Sequence, residues 1–111
     1  MLIEVLENQY HNFCIKIACD TIKKRFKKID GLVNCAGVTL PSESETYPLD
    51  FWQKTIDINL TVPFLLIENL KNKLIASKGA IVNVSSLNGK LAFPNNPSYV
   101  ASKTGLDGLT R

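Results

Sequence analysis

The sequence predicts an α/β fold: part of a doubly wound parallel sheet, in the order strand, helix, strand, helix, strand, helix. Two short runs, 32–37 and 80–84, are rich in β-branched and small apolar residues, and each stops at residues that end a strand. Between and after them lie stretches whose apolar residues recur at helical spacing. With 111 residues and 45% apolar content, the chain is one small domain with enough material for a packed core.

Residues 2–6 (Leu-Ile-Glu-Val-Leu) read as a short strand. Residues 12–29 read as a helix with Asn12 as N-cap and Ile15, Ala18, Cys19, Ile22, Phe26 and Ile29 on one face. Lys23, Lys24, Arg25, Lys27 and Lys28 crowd its last turns. Such a run can mark a nucleic-acid patch. Cations at a helix C-terminus also complement its dipole, and that reading is favoured because no aromatic residue interleaves the run on the polar face.

Asp30 and Gly31 turn the chain into the strand Leu32-Val33-Asn34-Cys35-Ala36-Gly37. Gly37 has no Cβ, so a ligand can approach the backbone closely. The Asn34 amide can bridge neighbouring strands, and Cys35 reads as a small core residue. Residues 40–48 form a polar loop. A long helix is expected over 49–75, with an apolar stripe at Phe51, Ile56, Leu60, Phe64, Ile67 and Leu70. Pro63 lies four residues after Asn59 and has no N–H, so the Asn59 carbonyl loses its helical donor and can accept from water. Lys78 and Gly79 end this helix. Residues 80–84 read as a buried strand that stops at Ser85 and Ser86. A loop with Gly89, Pro94 and Pro97 leads to a last helix that carries Tyr99 and Lys103 one turn apart on one face.

The bulk composition excludes several classes. A net charge of +3 is modest and calls for no nucleic-acid partner. No apolar stretch is long enough to span a bilayer, so no membrane partner is expected. Glu4 and Glu7 near the start argue against a signal peptide. Cys14, Cys19 and Cys35 lack C-x-x-C spacing and stand with one histidine, His11, so no metal site is expected. Reduced thiols fit a cytoplasmic protein.

A serine at a strand end, facing a Tyr/Lys pair on the next helix, can hold a carbonyl oxygen and exchange a proton with it. Ser86 stands thirteen residues before Tyr99, and Tyr99 opens a Tyr-x-x-x-Lys that ends at Lys103. In isolation the pair could be an interface aromatic and a solvated charge. This pattern resembles the signature of the short-chain dehydrogenase/reductase family. The segment Asn34-Cys35-Ala36-Gly37 is similar to that family's Asn-Asn-Ala-Gly element, with Cys35 in place of the second Asn, and Asn59 stands where the family carries its active-site asparagine.

The resemblance implies a Rossmann-like fold, with residues 1–111 forming part of an NAD(P)-binding domain, and an oxidoreductase that moves hydride between nicotinamide and a small-molecule carbonyl or alcohol. It implies Tyr99 as general acid/base, with Lys103 favouring the phenolate and bonding the nicotinamide ribose. Ser86 would bind the substrate and donate to its oxygen. The Asn59 carbonyl would hold a water near Lys103, and Asn34, Ala36 and Gly37 would lie under the adenosine half of the cofactor. It also implies a homotetramer built through the helices of Asn59 and Tyr99. None of the six glycines forms the Gly-rich pyrophosphate loop of a dinucleotide fold. By resemblance that loop should precede Met1 and the last strands should follow Arg111, so the cofactor is NAD or NADP without a choice, and activity of the 111 residues alone is not expected. Glu7 falls near the family's adenine-contacting Asp. The competing expectation is a non-catalytic remnant or interaction module with an exposed sheet edge.

Overall fold

A computed structural model describes residues 2–111, with side chains from Asn12 onward. Helix α1 spans Leu2–Arg25, strand β1 Gly31–Asn34 and helix α2 Leu49–Ile56. A π-helical turn, Asp57–Thr61, leads into α3, Val62–Ser77. Strand β2 is Ala80–Asn83, a 3₁₀ turn covers Leu87–Gly89, and α4 is Pro97–Thr110. The chain divides into two compact units: Met1–Leu32 with Leu65–Ala80, and Val33–Phe64 with Ile81–Arg111.

The core of the first unit is built from α1 and the later turns of α3. Cys19, Leu70 and Leu74 are buried, with Ile15, Ile22, Ile29, Leu32 and Leu66 packed against them. Residues 2–6 are helical rather than a strand, and Asn12 lies inside α1 rather than capping it. A short apolar run does not distinguish helix from strand, and no glycine or proline interrupts the sequence before Gly31, so the helical ladder runs through. The helix also ends sooner than residue 29. Its last turn is closed by the Phe26 N–H donating to Ile22 O at 2.9 Å, and Ile29 reaches the core from the irregular segment that follows. Phe26 is exposed, with the Arg25 guanidinium 5.6 Å from its ring centre. Phe26, expected on the apolar face of the helix, is therefore exposed beside the basic residues.

The end of α3 shows how Lys78 and Gly79 close the helix. Lys78 adopts a left-handed φ of 54°. The Gly79 N–H donates to Leu74 O at 2.8 Å and the Lys78 N–H to Ile75 O at 3.0 Å, the paired bonds of a Schellman cap. Glycine is required one place further on. A Cβ on Gly79 would lie 2.8 Å from Ile29 O and 2.9 Å from Asp30 O, both backbone atoms. The Ser77 hydroxyl also donates to Ile29 O.

Strands β1 and β2 pair as a two-stranded parallel sheet. In the first unit the Ala80 N–H donates to Asp30 O at 3.0 Å; in the second the Val84 N–H donates to Asn34 O at 2.9 Å. β2 is not the buried strand its residues suggest: Val82 is 52% exposed, and on β1 Val33 is 64% exposed. A buried strand needs neighbours on both edges and cover on both faces, and among the described residues each strand has one neighbour. Cys35 is exposed rather than a core residue, because the chain has left β1 at Asn34. Among the described residues no strand precedes α1, so the expected order loses its first strand.

The expected single helix over 49–75 is broken by the π turn and runs on to Ser77. In α-register the carbonyl facing residue 63 is that of Asn59; in π-register it is that of Ile58. Pro63 can serve neither, and the extra residue accommodates the missing donor. Among the stripe residues Leu70 is buried and Phe64 exposed. In the second unit Thr55, Asn59, Ser98, Ser102 and Leu106 are all but fully buried. Four of these five are polar, so this interior is held by hydrogen bonds as much as by apolar contact.

Candidate active site

The second unit brings together the end of β1, the π turn, the segment after β2 and the first turns of α4. Asn59 is fully buried at the centre of the π turn. Its Oδ1 accepts from the Val38 N–H at 2.8 Å, and its Nδ2 donates to Val38 O at 2.9 Å and to Ser102 Oγ at 3.0 Å. Both amide hydrogens are thus used, and one side chain fixes the loop after Gly37 relative to α4.

Gly37 works at a close approach. A Cβ there would sit 3.3 Å from Asn59 Oδ1 and 3.6 Å from Lys103 Nζ, so the amide and the amine both lie beside this bare stretch of backbone. Ala36 and Gly37 are themselves exposed. Asn34 is buried, and its Nδ2 donates to Asn83 Oδ1 at 2.7 Å, the strand-to-strand bridge the sequence suggests. Asn83 in turn donates to Thr110 Oγ1 at 3.0 Å. Asn34 Oδ1 is buried without a partner.

Lys103 is only 5% exposed. Its ammonium donates to Val84 O at 2.8 Å and lies 5.8 Å from the centre of the Tyr99 ring. Tyr99 is half-buried in the first turn of α4. Ser86 is half-buried and begins the 3₁₀ turn by accepting from the Asn88 N–H at 3.2 Å. An accepted bond occupies a lone pair and leaves the hydroxyl hydrogen available to donate. Ser85 and Gly89 tie this loop to α4: Ser85 Oγ donates to Lys103 O at 3.4 Å and Thr104 Oγ1 to Gly89 O at 3.1 Å.

Sequence reasoning missed a second set of polar contacts around the same helix end. Tyr47 Oη donates to Leu40 O at 2.6 Å and bonds Ser98 Oγ at 2.7 Å. Asn96 Nδ2 donates to Thr39 Oγ1 at 2.6 Å, and the Ser42 N–H donates to Asn95 O at 2.8 Å. These bonds hold the segment after β1 against the start of α4. Ser102 was missed as well; the only signal was a small polar residue inside a helix, beside the lysine. The side chain of Glu7 lies outside the described residues.

A parallel strand pair with a buried asparagine and a buried lysine meeting beside the glycine that follows the first strand, and a tyrosine ring next to that lysine, belongs to the nucleotide-binding α/β class. The short chain dehydrogenase family matches residues 11–111. The trans-4-hydroxycyclohexanecarboxylate dehydrogenase of Sinomonas cyclohexanicum is 39% identical over 88 residues, 79% of this chain and 34% of that protein. The 3-oxoacyl-[acyl-carrier-protein] reductase of a Synechocystis strain is 36% identical over 92 residues, 82% of this chain and 37% of that protein. A solved 4-hydroxyisoleucine dehydrogenase complexed with NADH superposes with a TM-score of 0.81 at 34% identity, covering 89% of this chain and 44% of that one. A metagenomic short-chain oxidoreductase in complex with NADP gives a TM-score of 0.81 at 34% identity, covering 88% of this chain and 45% of that one. The chain belongs to the short-chain dehydrogenase family, and its fold is a partial Rossmann-like α/β fold. It spans less than half the length of each of these relatives. No helix among the described residues is long and apolar enough to cross a membrane.

Proposed function

We propose that a full-length protein carrying these residues is an NAD(P)-dependent oxidoreductase that interconverts a small-molecule carbonyl and its alcohol. Residues 1–111 would supply the central part of its NAD(P)-binding domain. The observation that carries this reading is Lys103. A buried ammonium is costly unless its hydrogens are engaged. Among the described residues Lys103 has one hydrogen bond, to Val84 O, and no carboxylate within ion-pairing distance. Two donors are left beside Gly37, and a ribose with vicinal hydroxyls is the kind of acceptor that fits them.

The residues present fit a dinucleotide. Exposed backbone at Ala36 and Gly37 allows close contact, Asn34 Oδ1 is an unused buried acceptor, and Lys103 supplies donors. When bound, the nicotinamide supplies or accepts the hydride. The chain's own residues do the rest. Tyr99 gives a proton to the substrate oxygen in reduction and removes it in oxidation. Ser86 donates to the same oxygen, where negative charge grows in the transition state. Lys103 places positive charge by the phenol and holds the ribose. The Asn59 carbonyl, denied a donor by Pro63, accepts a water that leads from Lys103 toward solvent. A homotetramer and a cytoplasmic location belong to the same reading.

The test is turnover of NADH or NADPH by the full-length protein with a panel of small ketones and aldehydes, in parallel with Lys103→Ala. The reading expects turnover with one cofactor, and in the variant a loss of both cofactor affinity and rate. Absence of turnover with either cofactor across the panel, in protein that binds neither, would refute it.

A further inference from the structure

We propose that Ser102 is a positioning residue that sets Asn59 and the backbone of Tyr99 relative to one another; this rests on the oxidoreductase reading above. Ser102 is fully buried, on the turn of α4 between Tyr99 and Lys103. Its Oγ accepts from Asn59 Nδ2 at 3.0 Å and donates to Tyr99 O at 2.9 Å. The Asn59 amide is bound on its other side to both backbone groups of Val38. One continuous chain therefore runs from the loop beside Gly37, through Asn59 and Ser102, to the peptide that carries Tyr99. Every bond in it is between 2.8 and 3.0 Å.

The hydroxyl is required in this role because it must do two things at once. It accepts from Asn59 Nδ2, which needs an acceptor in this buried place, and it gives its own hydrogen to Tyr99 O as a bond beyond that carbonyl's helical one. Without it, Asn59 keeps its two Val38 bonds but has a buried N–H with no partner, and α4, which carries Tyr99, loses its bond to Asn59. The phenol is then free to shift with its helix relative to Ser86, and small displacements of reacting groups can cost about a hundredfold in rate. The cofactor-side loop, still clamped by Asn59, stays where it was.

Ser102→Ala in the full-length protein separates this role from simple packing. Positioning predicts that kcat per bound cofactor falls at least about tenfold. It also predicts that the pH profile of kcat moves, because the surroundings of the phenol change, while cofactor affinity and the number of cofactor sites per protomer stay as in the parent. A variant whose kcat stays within about twofold of the parent with an unmoved pH profile would overturn the proposal. So would a loss of rate matched by an equal loss of cofactor sites, which marks unfolded protein. If the parent itself neither binds nor oxidises NADH or NADPH, the oxidoreductase reading fails, and the role assigned to Ser102 goes with it.

Discussion

Truncating Asn59 to alanine removes three hydrogen bonds from a fully buried position. A hydrogen bond made inside a protein is worth about 1 kcal/mol net, so the three together amount to about 3 kcal/mol. Two corrections act in opposite directions. Ser102 is fully buried and would be left beside a small cavity, which adds to the loss. Val38 is half-buried, so water can replace part of what its backbone loses, which reduces it. The expected destabilisation of Asn59→Ala is thus about 2–4 kcal/mol, measured by denaturant titration of full-length protein with the slope unchanged from the parent. Asn59→Asp sharpens the comparison. Its shape is retained, but an oxygen replaces the donor nitrogen opposite Val38 O and Ser102 Oγ. It should be at least as damaging as alanine near neutral pH, and should recover at low pH, where a protonated carboxyl can donate to Val38 O. A loss below about 0.5 kcal/mol for both variants would show that the clamp does not hold the site together.

The remaining predictions concern the ends of elements and the thiols. Gly79→Ala forces a Cβ against two backbone carbonyls, which side-chain motion cannot relieve, so it should destabilise by about 2 kcal/mol or more in the same titration; Lys78→Gly should stabilise by up to about 1 kcal/mol by removing left-handed strain. Iodoacetamide should label Cys14 and Cys35 in the native protein and Cys19 only after unfolding, and bound cofactor should slow labelling of Cys35 but not of Cys14. Burial pushes the Cys19 thiol above its ordinary range, with Lys23 opposing the shift. The unfolded thiol therefore ionises first, so this residue's contribution to stability is intact below the unfolded pKa and declines as pH rises toward the folded one; Cys19→Ser should flatten the alkaline limb of the stability curve.

How far the sequence spoke for itself differs by element. Strand and helix positions in the middle and end of the chain were legible because glycine, proline and paired serines mark their boundaries. Residues 2–6 were misread because five residues satisfy either period, and only the absence of any later breaker decides for helix. The burial of β2 was misjudged because β-branched content reports what a strand can pack against, not how many neighbours it has. In the candidate site, Tyr99 and Lys103 stand out by their one-turn spacing, and Ser86 and Asn59 by resemblance to the family's motifs. Ser102, Val38 and the Tyr47–Ser98 pair could not, since their roles depend on which polar groups meet across separations of 21 to 51 residues in the chain. The π turn was half visible: Pro63 announced a missing donor, but not that the helix would absorb it with an extra residue.

The central claim is that Tyr99 moves the proton at the substrate oxygen. Tyr99→Phe in the full-length protein keeps the ring under Lys103 and removes only the hydroxyl. The account predicts that cofactor binding, followed by quenching of intrinsic fluorescence or by calorimetry, stays close to that of the parent while carbonyl reduction is lost. Turnover retained in the phenylalanine variant at the parent's rate would contradict it.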